Sequence, residues 1–192
     1  ESTTTDIGGG IHNNGGPLVL INTTVAGNDA RLNGGGISNA GGRITAVNSV
    51  VSGNSARTGG GFYLELGELS LTNSTVAGNW AQTEGGGIAG DSAELWVTMA
   101  NTIVARNHAP IGTDVHGRFV SENSLVSIDP GFVRDPSPGP DGTWGTQDDE
   151  AGNLHLSERS LAINLGDDSL AADNDGVPLA QDRNGNPRVA HG

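Results

Sequence analysis

Gly34-Gly35-Gly36-Ile37-Ser38-Asn39-Ala40-Gly41-Gly42-Arg43-Ile44-Thr45-Ala46-Val47-Asn48-Ser49-Val50-Val51-Ser52-Gly53-Asn54 is one copy of a phrase that the chain writes four times. The glycine triplets begin at Gly8, Gly34, Gly59 and Gly85, giving periods of 26, 25 and 26 residues. A unit this short cannot bury an apolar face alone and must stack on its neighbours.

Aligned on the triplets, the copies fall into columns. Val25, Val51, Val76, Val104 and Val126 share one, and Asn22, Asn48, Asn73, Asn101 and Asn123 a second. Asn28, Asn54, Asn79 and Asn107 form a third, and Ala30, Ala56, Ala81 and Ala109 a fourth. Ile11, Ile37, Phe62 and Ile88 form a fifth. Between them the pattern alternates at period two, as in Leu18 and Leu20, Ile44 and Ala46, Leu69 and Leu71, Val97 and Met99. This is the mark of short strands with one face inward. No stretch carries a helical period.

About 25 residues at roughly 3.3 Å each trace a perimeter of about 80 Å, which suits one turn of a three-sided coil. Asn columns fit the corners, where Asn tolerates turn geometry and its amide can bond the Asn of the next coil. The glycine triplets fit another corner, where the chain bends tightly. The expected fold is all-β: a right-handed parallel β-helix, or solenoid, of about six coils of roughly 22–28 residues. Its coils would lie about 4.8 Å apart.

The chain of 192 residues reads as a single domain, with regular coils over 1–128 and irregular C-terminal coils over 129–192. Cys is absent, so no disulfide contributes. Nine Arg and no Lys face 22 acidic residues, and a net charge of −13 disfavours nucleic acid. No apolar run is long enough to cross a membrane. Residues 1–128 carry ten acidic and five basic groups, and 129–192 carry twelve and four, a net −8. Cations are the natural partners of that last third.

Prolines 136, 138 and 140 exclude a central strand and place 134–152 on an acidic excursion. Within it Asp141, Thr143, Thr146, Asp148, Asp149 and Glu150 supply oxygens around Gly142 and Gly145, the elements from which a loop wraps a hard cation such as calcium. The spacing is not that of an EF-hand. The alternative is a solvated turn in which Asp and Gly serve only turn geometry. Asp173 and Asp175 belong to a second, looser cluster.

The units Gly-Gly-Gly-Ile-Ser-Asn-Ala-Gly-Gly (34–42) and Asn-Ser-Thr-Val-Ala-Gly-Asn (73–79) resemble bacterial right-handed parallel β-helix repeat proteins of secreted and surface type. The C-terminal series is similar to the terminal region of members with interchangeable anchors. It comprises Asp129-Pro130, Leu154-His155-Leu156, Ser160-Leu161-Ala162-Ile163-Asn164-Leu165-Gly166 and Asp182-Arg183-Asn184-Gly185-Asn186-Pro187-Arg188. Leu161 stands where a proline is usual there. The resemblance implies an extracellular or cell-surface location and a parent chain that continues into an anchor. It implies no single activity, because one fold hosts many functions.

Two carboxyls flanking a sugar bond are the minimum for a glycosidase. Glu68 and Glu94 are the candidates, on neighbouring coils; the bland reading is a solvated face. A lyase would want a basic groove, and the Arg of the coils are scattered in sequence. His108 and His116, eight residues apart, are the only close histidine pair. Asn22-Thr23-Thr24 and Asn73-Ser74-Thr75 have the form of glycosylation acceptors, but the columns generate such triplets anyway. In the first coil Leu18, Val19, Leu20 and Ile21 are apolar on both faces, an expected contact strip. The first coil shows no cap, so the expectation is either that more sequence precedes Glu1 or that a partner covers the open edge, such as another copy self-associating end to end. The leading expectation is thus an extracellular structural or adhesive module stabilised by calcium, and the alternative a carbohydrate-active β-helix that binds or cleaves polysaccharide.

Overall fold

The computed structural model describes residues 5–90, 96–144, 146–163, 165–172 and 175–181. The first coil runs through β1 (Thr5–Ile7), β2 (Ile11–Asn13), β3 (Leu18–Ile21) and β4 (Thr24–Ala26). The second holds β5 (Ala30–Asn33), β6 (Ile37–Asn39), β7 (Arg43–Val47) and β8 (Val50–Ser52). The third holds β9 (Ser55–Thr58), β10 (Phe62–Leu64), β11 (Glu68–Thr72) and β12 (Thr75–Ala77). The fourth holds β13 (Trp80–Glu84), β14 (Ile88–Gly90), β15 (Trp96–Ala100) and β16 (Ile103–Ala105). A shortened fifth keeps β17 (Val115–His116), β18 (Phe119–Glu122) and β19 (Leu125–Val126).

Each strand pairs in parallel with its counterpart one coil away, so four sheets run along the stack. Sheet A is β1-β5-β9-β13, B is β2-β6-β10-β14-β17, C is β3-β7-β11-β15-β18 and D is β4-β8-β12-β16-β19. The molecule is therefore a parallel β-solenoid of about four turns, fewer than the six expected. Each coil has four short strands rather than three sides.

The registers reproduce the sequence columns. Val25, Val51, Val76, Val104 and Val126 are paired in series, as are Ile11, Ile37, Phe62 and Ile88. Ile37, Ile44, Phe62, Leu69, Val76, Ile88 and Val104 are fully buried in one continuous core. Removing each such side chain from water contributes about 1.5–3 kcal/mol, which is how coils too small to fold alone hold together.

The Asn columns divide the two tasks assigned to corners. Asn22, Asn48, Asn73, Asn101 and Asn123 adopt left-handed backbone, φ 45–52°, between sheets C and D, and Asn is among the few residues that accept it. Asn28, Asn54, Asn79 and Asn107 form the amide ladder, each Nδ2 donating to the next Oδ1 at 2.8–2.9 Å. Asp114 ends it by accepting from Asn107 Nδ2 at 2.9 Å. A hydroxyl ladder runs beside it: the amides of Thr23, Ser49, Ser74 and Thr102 donate to the hydroxyls of Ser49, Ser74, Thr102 and Ser124. The Asn73-Ser74-Thr75 triplet is thus accounted for by turn and ladder.

Between sheets A and B the glycine triplets bring adjacent coils into backbone contact. Gly59 has φ +65°, and a Cβ on Gly60 would stand 2.3 Å from the Trp80 carbonyl oxygen of the next coil. No real Cβ fits there.

Past Ser127 the chain stops adding coils among the described residues. β20 (Phe132–Arg134) pairs antiparallel with β21 (Asn153–Leu156), so this segment turns back on itself. The arm lies along the flank of the stack. Arg106, left-handed at φ 60°, holds Asp129 and Asp135 through Nη2, both at 2.9 Å. Pro136 packs on Gly78, and Trp144 stacks on His108 with ring centres 6.0 Å apart. Further on, Asn101 exchanges two 2.8 Å bonds with the backbone of Asp167, beside a single 3-10 turn at Asp168–Leu170. Asn48 Nδ2 donates to the Gln181 carbonyl at 3.4 Å. The contacts descend from the fourth and fifth coils to the second. No helix of the described residues is long and apolar enough to cross a membrane.

Candidate functional site

The acidic excursion closes on itself through Ser137 and Glu150, which exchange backbone bonds of 3.0 and 2.9 Å. Inside it the Thr143 amide donates to Asp141 Oδ1 at 2.7 Å, and the Asp141 amide to Asp148 Oδ2 at 3.1 Å. Thr146 Oγ1 donates to Asp148 Oδ1 at 2.6 Å. The Thr146 hydroxyl and the Asp141 amide hold the Asp148 carboxyl below its ordinary value, so it stays ionised. Asp149 sits in the turn that follows Thr146. Asp141 and Asp148 are thereby brought together, but no group of three or more acidic or histidine side chains converges as a metal set among the described residues. In the looser cluster Asp175 is exposed in a turn, whereas Asp173 lies outside the described residues.

Glu68 opens β11 on sheet C, where Arg43 Nε and Nη2 donate to its Oε2 at 2.8 and 2.6 Å. It is an exposed ion pair across neighbouring coils. Glu94, its expected companion, lies outside the described residues. Of the first-coil strip, Leu20 is buried and Leu18 half-buried in the core, while Val19 and Ile21 remain 45% and 48% exposed. Ile21 aligns with Val47, which is buried.

A concave face appears between sheets A and B, where the sequence alone shows no cluster. Tyr63 stands beside the inward Phe62 on β10, yet it is 6% exposed. It shares a cavity of about 510 Å³ with Leu32, Asn33, Arg57, Thr58, Thr83 and Glu84. A second cavity of about 580 Å³ adjoins it through Leu32, Arg57 and Thr83 and adds Arg31 and Gln82. The glycine triplets turn the chain from sheet A to sheet B, so Tyr63 of sheet B borders the same cavity as Arg57, Thr58 and Thr83 of sheet A.

Arg57 is the centre of this face, and the registers show why. Trp80 pairs with Ser55 and Glu84 with Thr58, so Gln82 and Thr83 together oppose the single residue Arg57. On the other side Asp29 pairs with Ser55 and Asn33 with Thr58, so β5 also carries one extra residue. Bulges re-aim side chains and gather beside functional sites. Thr83 Oγ1 donates to the Arg57 carbonyl at 2.8 Å and shares a 2.9 Å bond with Thr58 Oγ1.

Charges around the groove are mostly matched. Arg31 lies 3.7 Å from Asp6, and His116 lies 3.4 Å from Glu84. Arg57 alone among these has no ion pair with the described residues. The sequence does carry a signal for it: four residues separate Asn54 from Gly59, but five separate Asn28 from Gly34 and Asn79 from Gly85. That missing residue is what makes both neighbours bulge.

Comparison with known proteins finds no matching family model, no matching curated protein and no matching solved structure.

Proposed function

We propose that the chain is a structural and adhesive β-solenoid module that works outside the cell and holds an extended polymer along the groove between sheets A and B. One observation carries this reading: Arg57, Thr58 and Thr83 form an open polar face between two bulges, on a scaffold whose inward columns are committed to packing. The extracellular placement rests on the resemblance of the 34–42 and 73–79 units to surface β-helix repeats. Exposed Val19 and Ile21, on an edge strand of sheet C, support association of copies end to end into a filament or surface layer. Calcium in the acidic loop is part of the same proposal, supported by the ionised Asp148 close to Asp141.

The test is binding of the purified chain to immobilised extracellular polysaccharides, with Thr58→Trp filling the groove. Retention abolished by that substitution supports the reading; an unaltered protein that binds none of the polymers overturns it. A second reading, cleavage of polysaccharide, is favoured by Glu84 beside His116 at the groove edge, a carboxylate and an imidazole within reach of one chain. New reducing ends or unsaturated products, lost in Glu84→Gln, would establish it.

A further inference from the structure

We infer that the groove between sheets A and B is a receptor for an acidic polysaccharide, with Arg57 as the residue that grips its carboxylates. This rests on the adhesive reading above and names the chemistry of its ligand.

Arg57 is a guanidinium without an ion pair among the described residues, in a chain with 22 acidic side chains. Bulges on both flanking strands hold it where two cavities of about 510 and 580 Å³ meet. A planar guanidinium presents paired N–H donors that match a carboxylate edge to edge. Around it Asn33 supplies an amide, and Thr58 and Thr83, whose hydroxyl protons are engaged with each other and with the Arg57 carbonyl, supply acceptor oxygens for sugar hydroxyls.

Shape and charge narrow the ligand further. The cavities are open and share a wall across β5, β9 and β13, so an extended chain can lie along the stack. Arg31 occupies the equivalent place one coil away, about 4.8 Å along the axis. It gives a second cationic position, shared with Asp6 at 3.7 Å. A net charge of −13 repels polyanions of high charge density such as nucleic acid. A uronic-acid chain, with one carboxylate per sugar and hydroxyls elsewhere, suits a guanidinium without an ion pair among the described residues, in a groove whose one carboxylate, Glu84, is held 3.4 Å from His116.

The experiment is titration calorimetry of the whole chain with oligogalacturonate, with its methyl ester, which keeps the backbone but removes the charge, and with dextran sulfate. Expected is binding of the free acid, loss with the ester, and weakening by about tenfold or more in Arg57→Gln, the effect of losing one charge-assisted pair. Arg57→Lys keeps the charge and loses the fork, and it should recover only part of that affinity. Should Arg57→Gln fail to fold, Arg57→Lys and the salt dependence of the wild type carry the same test. Equal binding of acid and ester would leave the adhesive groove standing and overturn the acidic receptor. Binding of the sulfated chain alone would overturn the carboxylate assignment. Binding of none would overturn both readings.

Discussion

Arg106 Nη2 lies 2.9 Å from Asp135 Oδ2, and this contact ties the C-terminal arm to the fourth coil. The same nitrogen reaches Asp129 Oδ2 at 2.9 Å. In the three preceding coils the corner holds Gly27, Gly53 and Gly78, all at φ 61–66°. A non-glycine residue there carries a penalty of roughly 1–2 kcal/mol, so the ion pairs stand against local strain. The side chains are 38–64% exposed, and exposed pairs contribute only about 0–1 kcal/mol each. Arg106→Gly should therefore leave the solenoid's melting almost unchanged while freeing the arm. Hydrogen exchange is the readout: the amides of Phe132 and Leu156 should exchange faster in the variant, and faster in wild type at high salt. Unchanged exchange would mean that the other contacts, Pro136 on Gly78, Trp144 on His108 and Asn101 with Asp167, suffice to hold the arm.

Asn79 is a fully buried rung in the middle of the amide ladder. Its Oδ1 accepts from the Asn54 amide and Nδ2 at 3.1 and 2.9 Å, and its Nδ2 donates to the Val51 carbonyl and to Asn107 Oδ1. Asn79→Ala takes this partner from the buried Asn54 amide and Val51 carbonyl, each at about 1–3 kcal/mol, while Asn54 Nδ2 keeps the Val25 carbonyl and Asn107 Oδ1 keeps the residue-79 amide. The expected loss is roughly 3 kcal/mol in a denaturant titration. Asn28→Ala, at the half-buried end of the ladder, should lose less. Equal losses would show that the ladder does not act through burial.

Gly60→Ala tests close approach without backbone strain, because Gly60 does not have a left-handed φ. The new Cβ would stand 2.3 Å from the Trp80 carbonyl oxygen and 2.6 Å from that of Gly86. Adjacent coils must move apart, which disturbs sheets A and B together. Overpacking of this kind costs about 1–3 kcal/mol, occasionally more. Thermal unfolding should fall accordingly, and Arg57, two strand positions before Gly59, should lose its ligand affinity in the same variant. A stable Gly60→Ala protein would show that the triplet is needed only for the turn at Gly59.

The repeat made the core legible because Val51, Val76 and their column partners meet the same surroundings in every coil. What each Asn column does is also readable once backbone angles are known: Asn48 turns the chain and Asn54 bonds the next coil. The groove was hidden for the opposite reason. Arg31 and Arg57 follow Ala30 and Ala56 of one column and so lie one coil apart on sheet A, but the columns do not show that Tyr63 of sheet B borders the same face or that Arg57 sits between two bulges. The arm escaped for a related cause. Arg106 looks like an ordinary surface cation until its left-handed φ and its place in a glycine column are seen together. Single departures from a period carry little weight in a pattern search, although here they mark where the chain does something besides stack.

The acidic loop separates two ideas about Asp148 by pH and by cation. Its carboxyl lies below the ordinary value of 3.8, chiefly through the Thr146 hydroxyl and then the Asp141 amide. A depressed folded value means that the contribution is present above the unfolded value and is lost as pH falls through the folded one. Asp148 is fully exposed, so the effect belongs to local order of the loop and not to global stability. Thr146→Val should return the Asp148 titration, followed by carboxyl NMR, towards 3.8. Calcium would act on the same oxygens and draw Asp148 Oδ1 away from Thr146 Oγ1, now 2.6 Å apart. In calcium the titration should therefore move lower still, and chelator should reduce the arm's protection from exchange. Asp148→Ala combined with Asp149→Ala should remove that difference. If calcium and chelator give identical titrations and identical protection, the loop is a turn held by its own amides and hydroxyls, and the proposed cation is wrong. The Thr146 effect would survive that outcome, because it needs only the hydrogen bond already present.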